Sequence, residues 1–176
     1  LTSASEVELS EFYEQTKTGA FKNTYEMGRE IEKLINIFDK EERDENASAI
    51  SDVGLVRVLN EDNWGWGILK NKLKLYVVAD GMGGHDAGEV ASSLAVSLLF
   101  EEMNTRLDVN QKYNIEELRT IFSTSFQQAN NGIKDHAEKR GSDMGTTMVT
   151  ALIVGKEAVV ANVGDSRAYL HRKNSL

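Results

Sequence analysis

The feature that most constrains the fold is a mostly apolar run over residues 73–79 that leads into Asp80-Gly81-Met82-Gly83-Gly84. Such a run, bounded by charge, is typical of a buried strand, so Asp80 should lie where the strand leaves the core. Glu61 and Asp62 precede the run. Gathered anions are costly unless a cation neutralises them, and Mg²⁺ and Mn²⁺ prefer oxygen ligands. The pattern indicates a divalent metal site, with a solvated acidic loop around an Asp-Gly turn as the alternative.

Charge divides the chain near residue 50. Residues 1–50 carry 12 acidic and 6 basic side chains, so they hold -6 of the formal net charge of -8. Apolar side chains recur there at helical spacing and predict one amphipathic helix over residues 21–43. A single helix cannot bury its own apolar stripe, so it should pack on the following domain, on another protein or on a second copy. We therefore expect an acidic helical extension over residues 1–50 and a folded domain over residues 51–176.

Composition excludes several classes of protein. A chain of 176 residues that is 40% hydrophobic can form one domain with a real core. The net negative charge argues against a nucleic-acid partner. Cysteine is absent from the sequence, which rules out disulfides, thiolate metal sites and a cysteine nucleophile, and with it the cysteine-dependent phosphatases. The sequence has neither a long apolar segment nor a secretion signal, so we expect a soluble, cytoplasmic protein without a membrane partner.

Strand and helix patterns occur in blocks. Segments rich in β-branched, leucine or aromatic residues predict strands at residues 52–58, 64–69, 73–79, 147–154, 158–163 and 166–171. The polar joints Asn71-Lys72 and Gly155-Lys156-Glu157 predict hairpins, which make the sheet antiparallel. Apolar rows at helical spacing predict two helices, over residues 88–104 and 115–138. Hairpins before and after a helix pair predict an α+β layered domain.

Four motifs then resemble a known family. The motifs are Arg57-Val58-Leu59-Asn60-Glu61-Asp62, Val78-Ala79-Asp80-Gly81-Met82-Gly83-Gly84, Met144-Gly145-Thr146-Thr147 and Asn162-Val163-Gly164-Asp165-Ser166-Arg167-Ala168. Their order and approximate spacing resemble those of the metal-dependent serine/threonine protein phosphatases of type 2C, the PPM family. They are most similar to the bacterial branch of this family. The resemblance implies an antiparallel β-sandwich flanked by α-helices. Residues 51–176 would hold its N-terminal two-thirds, because the family's downstream metal-binding aspartates are not in this sequence.

The resemblance also implies a metal centre of two Mn²⁺ or Mg²⁺ ions, with a third in bacterial relatives. Asp80 corresponds to the residue that bridges both ions, and the carbonyl of Gly81 corresponds to a ligand. Glu61 and Asp62 correspond to carboxylates that hold the ions directly or through water. Asp143 corresponds to a ligand of the third ion, with a turn or capping role as its alternative.

Three further residues bear on the chemistry. Arg57 corresponds to the side chain that grips the substrate phosphoryl group, for which a guanidinium can donate two parallel hydrogen bonds. Asp165 lies in a turn that approaches the metal centre in relatives, and it too has a turn role as its alternative. Many eukaryotic relatives carry a histidine directly after the Asp-Gly pair. Met82 holds that place here and His85 comes three residues later, which puts general-acid catalysis by this histidine in doubt.

The expected activity is hydrolysis of phosphoserine and phosphothreonine in proteins by a metal-activated water, in a signalling role opposite a Ser/Thr kinase. Without the downstream aspartates the chain should hold metal weakly, as a fragment of the catalyst, and should be able to self-associate through open strand edges or the N-terminal helix. The alternative is a non-catalytic regulatory or binding module derived from the same fold. An unrelated metal hydrolase is a third possibility, which hydrolysis of non-phosphate esters would favour.

Overall fold

Two β-hairpins joined edge to edge form the sheet of this protein. The computed structural model describes residues 47–84, 87–173 and 175. The strands are β1 (Asp62–Ile68), β2 (Lys74–Met82), β3 (Gly145–Thr146), β4 (Met148–Val154) and β5 (Glu157–Val163). All strand pairs are antiparallel, in the order β1-β2-β4-β5, and β3 pairs with the end of β2 beyond β4.

Both predicted hairpins are confirmed. In the first, the N–H of Lys72 donates to the carbonyl of Leu69 and the N–H of Leu69 donates to the carbonyl of Leu73, each at 2.8 Å. In the second, Val154 pairs with Glu157, which leaves Gly155 and Lys156 as a two-residue turn. The four strand predictions beside these turns correspond to β1, β2, β4 and β5.

Two strand predictions are wrong. Residues 52–58 and 166–171 contain turns, bends and irregular backbone instead of strand. Leu55, Val56 and Val58 are almost fully exposed. A strand needs a neighbouring edge to satisfy its backbone groups, and no described strand pairs with either segment. Apolar content was therefore a poor guide at these two places, because it reports neither pairing nor burial.

Two helices connect the hairpins, as the periodicity predicts, and each extends slightly beyond its predicted range. Helix α1 covers Ala87–Arg106 and helix α2 covers Ile115–Arg140. Helix α2 begins with a capping box, in which the Asn114 side chain accepts from the Glu117 N–H and the Glu117 side chain accepts from the Asn114 N–H. Such reciprocal bonds satisfy amides that the first helical turn leaves free, so α2 has a well-defined start.

The helices and the sheet form three layers, with α1 in the middle. Strand β1 approaches α1 closely, since a Cβ at Gly65 would lie 2.7 Å from Val96 Cγ1. On its other side α1 meets α2, where a Cβ at Gly132 would lie 2.8 Å from Leu98 Cδ1. The core between the layers consists of fully buried side chains: Leu75, Val77, Leu99, Met103, Leu118, Phe122 and Leu152. Burial of such side chains from water is the main stabilising term of the fold.

The other face of the sheet carries apolar side chains that no described element covers. Strand register places Trp64 beside Val78 and Trp66 beside Tyr76 on this face, and the rings of Trp66 and Tyr76 stack at a centroid distance of 6.4 Å. Val78 is 52% exposed. The prediction was an incomplete α+β fold, an antiparallel β-sandwich flanked by helices, and its antiparallel sheet and helices are confirmed. Within the described residues the fold comprises one sheet with helices on one face.

Some predictions fall on residues that the structure does not describe. The helix over residues 21–43 and the position of His85 lie outside the described ranges, and the division at residue 50 stays a prediction. Among the described helices, none is long and apolar enough to cross a membrane.

Candidate metal and phosphate site

The candidate site begins with two carboxylates at neighbouring strand ends. Asp62 opens β1 and pairs with Asp80 near the end of β2. Side chains of directly paired residues lie on the same face of a sheet. Both aspartates therefore project from the uncovered face. They lie where the motif that ends in Asp62 meets the motif that contains Asp80.

Electrostatics identify the other charges near this pair. Partial burial raises the pKa of Asp80 above its ordinary value, and the negative charges of Asp62 and Asp165 raise it further, as does a hydrogen bond with the Asp62 side chain. The positive charge of Arg57 acts in the opposite direction. Asp62, Asp165 and Arg57 are thus the charges that act on Asp80.

Arg57 is held by Glu61. Its Nη1 lies 3.0 Å from Glu61 Oε2, and the side chains are 65% and 19% exposed, respectively. The other carboxylate oxygen of Glu61 points at the start of α1, because a Cβ on Gly88 would lie 2.5 Å from Glu61 Oε1. An anion is favoured at a helix N-terminus, where backbone N–H groups are free. Glu61 thus connects the arginine to the helix in this structure.

Gly81 allows the strand end to touch the helix. A Cβ built on Gly81 would overlap the carbonyl oxygen of Gly88 and would lie 2.8 Å from the carbonyl oxygen of Glu61. The Gly81 N–H donates to that Glu61 carbonyl at 3.0 Å. Only a residue without a side chain fits this contact, so the glycine after Asp80 has a steric reason that is independent of any ligand.

Two threonines hold the backbone of Asp80, a role that sequence reasoning missed. The Asp80 N–H donates to Thr147 Oγ1 at 3.1 Å, and the Thr146 hydroxyl donates to the Asp80 carbonyl at 2.9 Å. Both belong to the motif Met144-Gly145-Thr146-Thr147, which was noted for its resemblance alone. Consecutive threonines beside a strand that pairs with the Asp80 segment were the available signal.

The segment before β1 is tied to Asp62 by polar side chains. The Asp62 N–H donates to Asn60 Oδ1 at 3.1 Å, and Asn60 Nδ2 donates to Ser51 Oγ at 2.7 Å. The Ser51 hydroxyl lies 3.4 Å from Asp62 Oδ2. This Asx-type contact explains why the irregular segment that carries Arg57 returns to the strand end.

The structure gives different information on the two remaining candidates, Asp165 and Asp143. Asp165 lies beside Ser166, whose Oγ is 2.7 Å from Thr147 Oγ1, the atom that accepts from the Asp80 N–H. Asp143 is exposed in the loop between α2 and β3. It is not among the charges that shift the pKa of Asp80.

The fit to a divalent ion is partial. Asp62 and Asp80 repel one another at one edge, with Asp165 adding to the repulsion, and a divalent cation would relieve this cost. In the described ranges, however, no group of three or more acidic or histidine side chains is placed to hold an ion. The described part of the chain could therefore supply some oxygen ligands of such a site, and the others would come from water, from substrate or from residues elsewhere.

Comparison with known proteins decides the family. The model of the family described as protein phosphatase 2C matches residues 56–176, which is more than half of the chain. The chain belongs to the protein phosphatase 2C family. The match includes all four motifs, strands β1 to β5 and both described helices.

Individual relatives agree with the family. The chain is 41% identical, over 128 residues, to a serine/threonine phosphatase, stp, of Listeria welshimeri, with 72% of this chain and 50% of the relative covered. Among solved structures, the S. agalactiae serine/threonine phosphatase matches at 32% identity with a TM-score of 0.59, covering 67% of this chain and 48% of that one. The Mycobacterium tuberculosis phosphatase PstP/Ppp matches at 34% identity with a TM-score of 0.56, covering 68% and 47%.

The shared region has a limited extent. The chain spans about half the length of the Listeria phosphatase it matches. The predicted membership of the bacterial PPM phosphatases is confirmed, and the fold is that of these structures over the region they share. Because the other half of the relative has no counterpart in this match, the activity of the whole protein is a proposal.

Proposed function

We propose that the protein carrying this chain hydrolyses phosphoserine and phosphothreonine in other proteins, with Mn²⁺ or Mg²⁺ as cofactor. The observation that carries the proposal is the meeting of Asp62, Asp80 and Arg57 at one strand edge. The two carboxylates would bind a metal cation, and the guanidinium would bind a phosphate. Relatives that match the chain are named serine/threonine phosphatases. Phosphorylated proteins would be the substrates, and an opposing Ser/Thr kinase would supply them.

Different residues of this chain would hold the metal ions in different ways. Asp80 and Asp62 would bind the ions with their carboxylates, and Gly81 would contribute its carbonyl. Glu61, which lies between Arg57 and the start of α1, would act directly or through water. Asp143 would serve a third ion from its exposed loop. When bound, the ions would supply a water acidified for attack on phosphorus and compensate charge on the phosphate oxygens.

Arg57 would orient the phosphoryl group. Its guanidinium is mostly exposed and is anchored at one nitrogen by Glu61, so its remaining N–H groups are available for a ligand. A planar guanidinium matches two phosphate oxygens at once and needs no change of protonation. Its positive charge also acts on Asp80, which supports a role for both groups toward one substrate.

A non-catalytic binding module is the second candidate. It is favoured by the finding that, in the part of the chain the structure describes, no three acidic or histidine side chains are placed to hold one ion. Such a module would use the uncovered apolar face of the sheet, or the outer edges of β1 and β5, for association. Self-association through these surfaces is part of the same proposal.

A phosphate-release assay separates the candidates. The protein is incubated with a phosphothreonine peptide in Mn²⁺ and, in parallel, in EDTA, and with a carboxylate ester of similar size. We expect phosphate release that requires Mn²⁺ and negligible ester hydrolysis. Mn²⁺ binding without phosphate release would favour the binding module. Comparable hydrolysis of the carboxylate ester would point to an unrelated metal hydrolase.

Replacing Arg57 with lysine should weaken catalysis while leaving the fold unchanged. Lysine keeps the charge but cannot donate two parallel hydrogen bonds, so we expect kcat/KM for a phosphothreonine peptide to fall by about tenfold to a hundredfold. Steady-state kinetics at saturating Mn²⁺ measure this change.

Arg119→Lys is the matched control. Arg119 forms a similar ion pair, 2.9 Å to Glu116, and is similarly exposed, but it lies on α2. This substitution should leave kcat/KM unchanged. Equal kinetics for Arg57→Lys and Arg119→Lys would contradict a role for Arg57 in holding phosphate.

A further inference from the structure

Asp80 has an unusual partner in the sheet. Between the pairs Val78–Val149 and Gly81–Thr146, the strand register places Thr147 opposite Asp80. The Thr147 N–H donates to the Asp80 carbonyl at 2.8 Å, as in a regular ladder. The Asp80 N–H, however, donates to the Thr147 side-chain oxygen. One ladder bond of this strand end thus depends on a side chain, and so on the identity of the residue.

The same hydroxyl reaches the turn that carries Asp165. Thr147 Oγ1 lies 2.7 Å from Ser166 Oγ. The Thr147 hydroxyl accepts from the Asp80 N–H through its oxygen, so its own proton is free to be donated to Ser166. The turn is fixed on both sides of Ser166. Asn162 Nδ2 donates to the Ser166 carbonyl at 2.8 Å, and a Cβ on Gly164 would lie 2.7 Å from the Thr147 methyl group.

We propose that Thr147 is a positioning residue, whose hydroxyl bridges the Asp80 amide and Ser166 and so sets Asp80 relative to the turn of Asp165. The significance of the bridge for catalysis rests on the proposed function, in which Asp80 holds the metal.

The test compares three variants of the whole protein that carries this chain. Thr147→Val keeps the shape and removes the hydroxyl, and Thr147→Ser keeps the hydroxyl. Thr150→Val makes the same chemical change on β4, where the hydroxyl of the buried Thr150 donates to the Ala161 carbonyl at 3.4 Å, on the β5 side of the strand. Two quantities are measured: the hydrogen-exchange rate of the Asp80 amide in metal-free protein, by NMR, and the affinity for Mn²⁺.

We expect Thr147→Val to speed exchange of the Asp80 amide and to weaken Mn²⁺ binding, each by about tenfold, the factor that one hydrogen bond can supply. Thr147→Ser should restore both quantities, and Thr150→Val should change neither. Restoration by serine would not be expected if Thr147 acted only by filling space. If Thr147→Val matches Thr150→Val in both measurements, the proposal is overturned.

Two further outcomes remain decisive. If Thr147→Val does not fold, Ser166→Ala removes the other end of the bridge from a half-buried turn residue and should shift both quantities in the same direction by about threefold. No shift would overturn the proposal. If the unaltered protein binds no Mn²⁺, the proposed metal-dependent function fails, while exchange of the Asp80 amide still decides whether the bridge exists.

Discussion

Asp80→Asn is expected to lower Mn²⁺ affinity and Mn²⁺-dependent phosphate release by about a hundredfold or more, since even groups that only orient metal ligands contribute up to about that factor. Asparagine has nearly the same shape and removes the charge that a divalent ion requires. Titration with Mn²⁺ and a phosphate-release assay measure the two quantities. Asp135→Asn, an exposed aspartate of α2, is the matched control and should change neither.

The same substitution is not expected to lower the stability of the metal-free protein. Burial and the charges of Asp62 and Asp165 raise the pKa of Asp80, which means that the folded state disfavours its ionised form. At neutral pH this penalty is present, and it falls as pH drops and the group becomes protonated. Metal-free Asp80→Asn should therefore melt no lower than the unaltered protein. Activity that survives the substitution would refute the catalytic assignment, and a large drop in melting temperature would indicate a structural role instead.

Gly81→Ala should destabilise the fold by about 3 kcal/mol, because a Cβ there would overlap backbone and force β2 away from α1. Backbone atoms cannot move aside as the end of a flexible side chain can. The contact also aligns the Asp80 strand end with Glu61, so metal affinity should fall as well. Urea unfolding of metal-free protein measures the stability change.

Gly84→Ala is the control within the same glycine-rich turn. A Cβ at Gly84 would meet nothing within 4 Å. We expect this variant to differ from the unaltered protein by no more than about 0.5 kcal/mol, as is usual for surface substitutions. If Gly81→Ala is as stable as Gly84→Ala, the close contact between the strand end and α1 is not important for folding.

The secondary structure was largely predictable because local patterns encode it. The polar joints at Asn71-Lys72 and Gly155-Lys156 predicted both hairpins, and the 3.6-residue periodicity predicted both helices. The segments at 52–58 and 166–171 failed the same reasoning. Their apolar residues resemble those of strands, but whether a strand forms depends on a neighbouring edge, which is a non-local property.

The site was predictable in part for a similar reason. Asp80 comes directly after an apolar run, so its place at a strand end could be inferred from the sequence, and the family resemblance supplied Arg57, Glu61 and Asp62. The threonine contacts could not be inferred, because Thr147 is 67 residues from Asp80 along the chain and its hydroxyl meets Asp80 only through the strand register.

The sequence by itself determined the hairpin turns, the presence of the two helices and the order of the four motifs, since these depend on residues that are close along the chain. Only the tertiary structure decided that Glu61 lies between Arg57 and the start of α1, that Gly81 touches Gly88, and that Thr147 links Asp80 to Ser166. It also decided that one sheet face stays uncovered by the described residues. These features arise when strands and helices distant in sequence pack together. Such packing cannot be predicted from local sequence patterns.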